Sequence, residues 1–340
     1  MARSRLSMAN DKVTIKDLAR ELGVSIATVS RAFSKEGKVN AQTRVRVLKT
    51  AEALGYRPNA NARKLNRQKS DTYGFLYPDL VEGDPDFFVT EISLGITEAC
   101  RDLNRRVFSF AFPTPEIPNI SRLRDILLDR SLDGLILLGG TASACQIRDE
   151  AFAAGLPIIR IGDLPADSPN VVCFDTSQSM RLAGDYYRRR GMKTPAYVSG
   201  IQDARKLAGL RDGLGPKLQD RLTVVKGGCR FEDGGQAFHR TWSLEPRPDC
   251  VVCATDVLAL GFMREALQFG VKIPEEIAVV GCDNIKFAQY YTPSLTTIHI
   301  PKYELGRKAA FKLSALIENP TEALEAASLT CHLVMRESSG

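Results

Sequence analysis

The stretch from Thr14 to Phe33 restricts the fold more than any other part of the sequence, because it signals two short helices joined at a single glycine. Thr14 is a helix N-cap, and Asp17, three residues on, is placed to reach back to the cap amide. Ile15, Leu18, Ala19 and Leu22 then recur at helical spacing and make one apolar face. Gly23 follows at once, where a helix end needs a residue tolerant of positive φ. Val24 can turn inward, Ser25 is a second N-cap, and residues 26–33 continue as a second helix. Ala19 is small where the two helices must cross. The pattern predicts a helix-turn-helix. A third helix is expected from its cap at Asn40 through Leu54, with Val45, Leu48 and Leu54 closing a small core.

In such a motif the second helix enters the major groove and its first residues face base edges. Ile26, Ala27 and Arg31 are therefore the candidate base contacts. Arg31 can bond guanine O6 and N7 together, worth about 1–3 kcal/mol of discrimination, while Ile26 and Ala27 offer apolar contacts to thymine methyls. Thr14, Ser25, Thr28, Ser30, Lys38 and Asn59 are candidates for phosphate contacts, which position without specifying. Charge supports this. Residues 1–70 carry 16 Lys/Arg against 5 Asp/Glu, whereas the other 270 carry 30 against 35. A small basic head on a mildly acidic body points to nucleic acid rather than to a uniformly basic surface. The plainer alternatives are a generic three-helix domain or a basic tail.

The segments VTIKDLARELGVSIATVSRAF and KVNAQTRVRVLKTAEALGYRPNANARKLNRQKS resemble the headpiece of lac-repressor-family (LacI/GalR) transcription regulators. The resemblance extends over nearly the whole chain and is most specific over residues 13–65. It implies a headpiece over 1–57, a hinge helix and linker over 58–70, and an effector-binding and dimerisation domain over 71–340. In the hinge, Pro58 would start a short helix and Leu65 would wedge open a central base step in the minor groove. Ala62 would let two hinge helices approach, and Asn59 and Arg63 would face DNA.

From Asp71 onward, short apolar runs alternate with helix-like segments. Strands are expected at 73–77, 107–112, 134–138, 158–161, 171–174, 196–199, 251–254, 277–281 and 297–300. Helices are expected at 91–103, 122–129, 177–190, 256–269 and 302–317. Such alternation means parallel sheets covered on both faces, and its length suits two doubly wound sheets better than one. The expected fold class is α/β: an all-α helix-turn-helix headpiece followed by two doubly wound lobes. The resemblance makes these lobes a type I periplasmic-binding-protein-like domain. It divides lobe 1 as about 71–172 and 300–328, and lobe 2 as about 173–299 and 329–340, with ligand in the cleft outside the carboxyl ends of the strands.

Several residues at those strand ends suit a polar ligand. By resemblance, Asp283 would accept hydrogen bonds from ligand hydroxyls, and Phe87 or Phe88 would line the cleft after Asp84-Pro85-Asp86. Phe174 offers an aromatic platform beside the crossover, and Asp79 is a further candidate. Thr255 stands where the family usually has Asn, which weakens amide-type recognition. Lys206 stands where it usually has Arg, a point charge in place of a bidentate fork, with Arg205 beside it. The usual Asp after IP-x-x-x is Gly162 here, with Asp163 one place on. The family's cleft aromatic falls on Arg230 or Phe231, of which Phe231 is the candidate. Arg160 would be costly to bury unpaired and could face the cleft or a dimer partner.

Enzyme chemistry is not expected. Only three histidines occur, none beside a nucleophile, and no G-x-G-x-x-G after a strand, P-loop, G-x-S-x-G or H-E-x-x-H is present. No cofactor or metal is expected either, since the eight cysteines include just one close pair, Cys250 and Cys253, inside an apolar run. No stretch nears the roughly 18 apolar residues of a membrane helix, and residues 1–12 lack a secretory apolar core. The expectation is thus a cytoplasmic, nucleoid-associated homodimer that binds a palindromic operator in double-stranded DNA. A sugar, sugar acid or phosphosugar would release it. The competing class, a cytoplasmic solute-binding or sugar-modifying protein, has no use for the basic head.

Overall fold

The computed structural model describes residues 13–33, 38–56, 70–79, 86–113, 131–139, 142–163, 165, 167–201, 203–321 and 323–340. The hinge candidates Asn59, Ala62, Arg63 and Leu65, and the helix expected over 122–129, lie outside them. The chain divides into two compact units at Ser70.

The first unit contains α1 (Ile15–Leu22), α2 (Ile26–Ala32) and α3 (Ala41–Ala53). Gly23 ends α1 at φ 64°, and its N–H reaches the Ala19 and Arg20 carbonyls. Leu18, Ala19, Leu22, Val29, Ala32, Val47 and Ala51 form the core, and Ile15, Val24, Phe33 and Tyr56 pack against it. The expected contribution of Val45, Leu48 and Leu54 is not found, since all three are exposed. α3 instead turns the i, i+4 pair Val47 and Ala51 inward, and Ala51 lets its backbone come close. Arg46 on the same helix donates to the Leu22 carbonyl at the end of α1.

The second unit runs β1 (Thr72–Asp79), α4 (Phe87–Asp102), β2 (Arg106–Pro113), β3 (Gly134–Leu138), α5 (Ala142–Ala153), β4 (Ile158–Gly162) and β5 (Val171–Cys173). It continues through α6 (Thr176–Arg190), β6 (Pro195–Ser199), α7 (Ala204–Gln219), β7 (Thr223–Lys226), α8 (Phe231–Trp242), β8 (Cys250–Cys253) and α9 (Asp256–Gln268). It ends with β9 (Ala278–Asp283), α10 (Phe287–Tyr290), β10 (Thr296–His299), α11 (Lys302–Glu318), β11 (Ala327–Ser328) and β12 (His332–Val334).

Two six-stranded sheets result, ordered β11-β5-β4-β3-β1-β2 and β12-β10-β9-β8-β6-β7. Every pairing is parallel except β10 with β12. The chain passes between the sheets after β5, after β10 and after β11. The central strands are apolar throughout because helices cover both faces: β3 and β8 are buried along their whole lengths. Against α6, the second turn of α7 packs so closely that a Cβ at Gly209 would lie 1.9 Å from the Ser177 carbonyl oxygen. That contact fixes Arg205 and Lys206 beside the crossover after β5. All eight cysteines are free thiols. Among the described residues, no helix is long and apolar enough to cross a membrane.

Candidate functional site

In the first unit, the two sides of α2 differ sharply. Val29 and Ala32 are buried in the core, while Ile26, Ala27 and Arg31 are exposed. The Ser25 hydroxyl caps the helix by accepting from the Thr28 N–H at 3.0 Å, and it lies 2.9 Å from the Thr28 hydroxyl. One of these hydroxyls donates to the other, so the pair keeps one proton for an outside acceptor. Ser30 is half-buried and Lys38 exposed. Thr14 caps α1 as expected and stays exposed: its hydroxyl donates to Asp17 at 2.6 Å and its N–H to the same oxygen at 3.0 Å. Those hydrogen bonds hold the Asp17 carboxyl below its ordinary value.

In the second unit, charge gathers at the carboxyl ends of the strands. Asp283 ends β9, is 7% exposed and is held at φ 118°. Burial pushes its carboxyl up to about 6 against the pull of Lys206 and Lys302, and Asp86 adds to the rise. Lys206 donates to the Ala254 carbonyl at 2.7 Å. Burial opposes its charge, but Cys282, Asp283, Asp203 and Asp256 outweigh it and raise the ammonium. Thr255, next in sequence to Ala254, caps α9 by accepting from the Leu258 N–H at 3.3 Å. Asp203, which accepts from the Tyr197 hydroxyl at 2.7 Å and the Gly200 N–H at 2.6 Å, anchors the start of α7.

The facing edge comes from α4. Asp86 caps it by accepting from the Phe88 and Val89 N–H groups at 2.9 and 3.1 Å. Burial raises the Asp86 carboxyl, those N–H bonds lower it, and Asp79 at the end of β1 raises it further. The Phe87 ring meets Phe287 of α10 edge-on with centroids 5.1 Å apart, and Phe88 lies 6.1 Å from the buried Phe174. Asp79, Asp86, Phe87, Phe88, Phe174, Lys206, Thr255 and Asp283 thus lie near one another at strand and helix ends. Phe231 does not join them: its ring lies 5.7 Å from the Arg264 guanidinium, in a groove between α8 and α9. Arg160 lies within electrostatic reach of Arg148 and Cys145 of α5, and burial and then Arg148 lower its pKa.

Sequence reasoning missed Lys302 and Asp256 here, and named Arg205 and Asp163 only as neighbours of Lys206 and Gly162. Lys302 is fully buried, lies 3.4 Å from Glu91 and donates to the Asp283 carbonyl. Asp256 accepts from the Ile285 N–H and the Thr297 hydroxyl, and burial and then Asp283 raise it. Arg205 reaches Asp163 at 2.8 Å and Asp175 at 3.1 Å. The shifted Asp-for-Gly and Arg-for-Lys neighbours in the sequence were the signal that could have linked Asp163 to Arg205. The histidines are engaged structurally. His239 pairs with Glu265 at 2.9 Å, and His299 lies 3.0 Å from the Asn284 amide.

Residues 14–59 match the family profile described as bacterial regulatory proteins, lacI family, and residues 184–339 match a periplasmic binding protein-like domain. The chain is 30% identical over 350 residues to the HTH-type transcriptional repressor CytR of Escherichia coli (strain K12), covering 96% of each. It superposes on a complex of the transcriptional regulator CelR with cellobiose at 25% identity and a TM-score of 0.70, covering 96% of this chain and all of that one. It also superposes on a lac repressor dimer bound to operator and an anti-inducer at 24% identity and a TM-score of 0.84, covering 97% of this chain and 99% of that one.

Proposed function

The chain belongs to the lacI family of bacterial regulatory proteins, and from that premise we propose that it is a ligand-responsive repressor of transcription that binds a palindromic operator as a homodimer. One observation carries the DNA-binding half: α2 turns Val29 and Ala32 into the core and leaves Ile26, Ala27 and Arg31 outside, on a strongly basic unit. In this reading these three contact bases, and Thr14, Ser25, Thr28, Ser30, Lys38 and Asn59 contact phosphates. Residues 1–57 are the headpiece and 58–70 the hinge, where Ala62, Arg63 and Leu65 act in the minor groove. The protein works in the cytoplasm, at the nucleoid. The direct test is a gel shift on palindromic duplexes. With about six phosphates neutralised, affinity is expected to fall roughly a thousandfold between 50 and 200 mM salt. A flat salt response would remove the DNA-binding reading.

The effector is a small polyhydroxylated molecule: a sugar, sugar acid or phosphosugar. It is held by Asp283 and Lys206, with Thr255, Asp79 and the rings of Phe87, Phe88 and Phe174 around it. CelR, solved with cellobiose, supports this ligand class. The ligand shifts the lobe equilibrium only by its differential affinity for the two arrangements.

Asp283 also gives this site a pH signature. Its folded value of about 6 lies above the ordinary 3.8. The ionised carboxylate therefore subtracts from stability above pH 6, and the penalty fades as pH falls toward 3.8. Asp283→Asn, which carries no charge to bury, is expected to gain on the wild type in urea melts as pH rises from 5 to 8. A difference that stays constant over that range would refute the assignment.

A further inference from the structure

Three crossovers connect the lobes, and each is tied differently. After β11, the Leu329 N–H bonds the Cys173 carbonyl at 2.8 Å. After β10, the fully buried Lys302 joins Glu91 of lobe 1 to the Asp283 carbonyl of lobe 2. After β5, the tie is a guanidinium at the rim. Arg205, on α7 of lobe 2, sends Nε to Asp163 at the end of β4 in lobe 1 and Nη2 to Asp175 on the crossover itself.

Both carboxylates are held in place before the arginine arrives. Asp163 accepts from the Thr176 N–H at 3.3 Å and from the Thr176 hydroxyl. Asp175 accepts from the Ser177 and Gln178 N–H groups at 2.9 and 3.1 Å as the cap of α6. Gly209, pressed on Ser177, fixes the helix that carries the guanidinium. The contact differs from the Lys302 tie in one decisive respect. The Arg205 side chain is 56% exposed, so water and salt can compete for it.

We propose that Arg205, with Asp163 and Asp175, is a reversible ionic latch that sets the resting arrangement of the two lobes without ligand, so that the effector works against or with it. This rests on the cleft being the effector site. No atom of the latch needs the ligand: a pair within the chain spans the lobes at the cleft rim. Lobe arrangement, and hence ligand response, becomes sensitive to ionic strength through a contact outside the headpiece.

Hydrogen exchange of the full-length protein, without ligand or DNA, tests this. In Arg205→Gln, amide exchange is expected to rise about fivefold, the upper range for such pairs, at all three crossovers: residues 173–178, 299–303 and 328–332. Peptides of β8 and β9 should not change. Adding Asp163→Asn to Arg205→Gln should produce little more, because the two remove one interaction. In the wild type, raising salt from 0.05 to 0.5 M should reproduce the rise, an arm that needs no variant, and in Arg205→Gln the same step should not. Faster exchange at 173–178 alone would mean a local cap and overturn the latch, as would an equal salt response in both proteins. Gel shift on the same preparations separates the two ideas: operator binding that persists when the crossovers do not respond removes the latch and leaves the DNA-binding reading intact.

Discussion

Lys302→Ala is expected to destabilise the two-lobed unit by about 3 kcal/mol, toward the lower end of the range for breaking a buried ion pair. Lys302 is fully buried, and among the described residues its ammonium meets the Asp283 carbonyl and the Glu91 carboxylate at 3.4 Å. Removing it leaves a buried carbonyl without a donor and a carboxylate without a partner. Because the Glu91 side chain is 27% exposed, water can compensate part of the loss, which keeps the figure from the top of the range. For a unit of this size the midpoint should fall by roughly 6–10 °C. Pairing the substitution with Glu91→Leu should recover much of the loss, since no charge is then left stranded. A midpoint shift below about 2 °C would mean that Lys302 is better solvated than its burial indicates.

Arg31→Ala should act on the other unit and leave this midpoint unchanged. Losing a guanidinium that bonds two guanine atoms costs about 1–3 kcal/mol of base discrimination per half-site. A two-fold operator counts that loss twice, so specific affinity should fall by at least tenfold while binding to unrelated duplex changes little. Base preference should flatten at one symmetric pair of positions. Equal losses on specific and unrelated DNA would make Arg31 a phosphate contact. The exposure of Arg31 beside a buried Val29 makes this a clean substitution, with no core side chain disturbed.

Local signals were legible in the sequence wherever one residue decides the backbone. Thr14, Ser25 and Asn40 cap their helices, and Gly23 takes the left-handed turn. The apolar runs of the central strands were equally plain, because burial on both faces leaves no polar alternation to confuse. Edge elements were less so: β7 exposes three of its four residues, and β11 and β12 span two and three. α7 was obscured by Gly215 and Pro216, where the chain kinks at φ 72°. Val45 and Leu48 were misjudged because propensity cannot say which of two apolar rows a neighbouring helix will cover.

Asp283, Lys206 and the phenylalanines were named from their positions at strand and helix starts, and the structure places them near one another. Lys302 was not, since a lysine opening an amphipathic helix reads as a solvated residue and only tertiary contact buries it. The Arg205–Asp163 pair joins residues far apart in sequence, and only the two one-place shifts beside Gly162 and Lys206 hint at it. The sequence places Phe231 at the start of α8 without saying that Arg264 will lie over its ring.

The backbone of Asp283 and Asn284, both at positive φ, sets robustness against recognition at one position. An aspartate at φ 118° stores energy of order 1–3 kcal/mol that a glycine would release. Laboratory selection for heat tolerance alone should therefore enrich glycine at 283, and, if the proposed site is right, the winners should be sturdier proteins that have gone deaf to their effector.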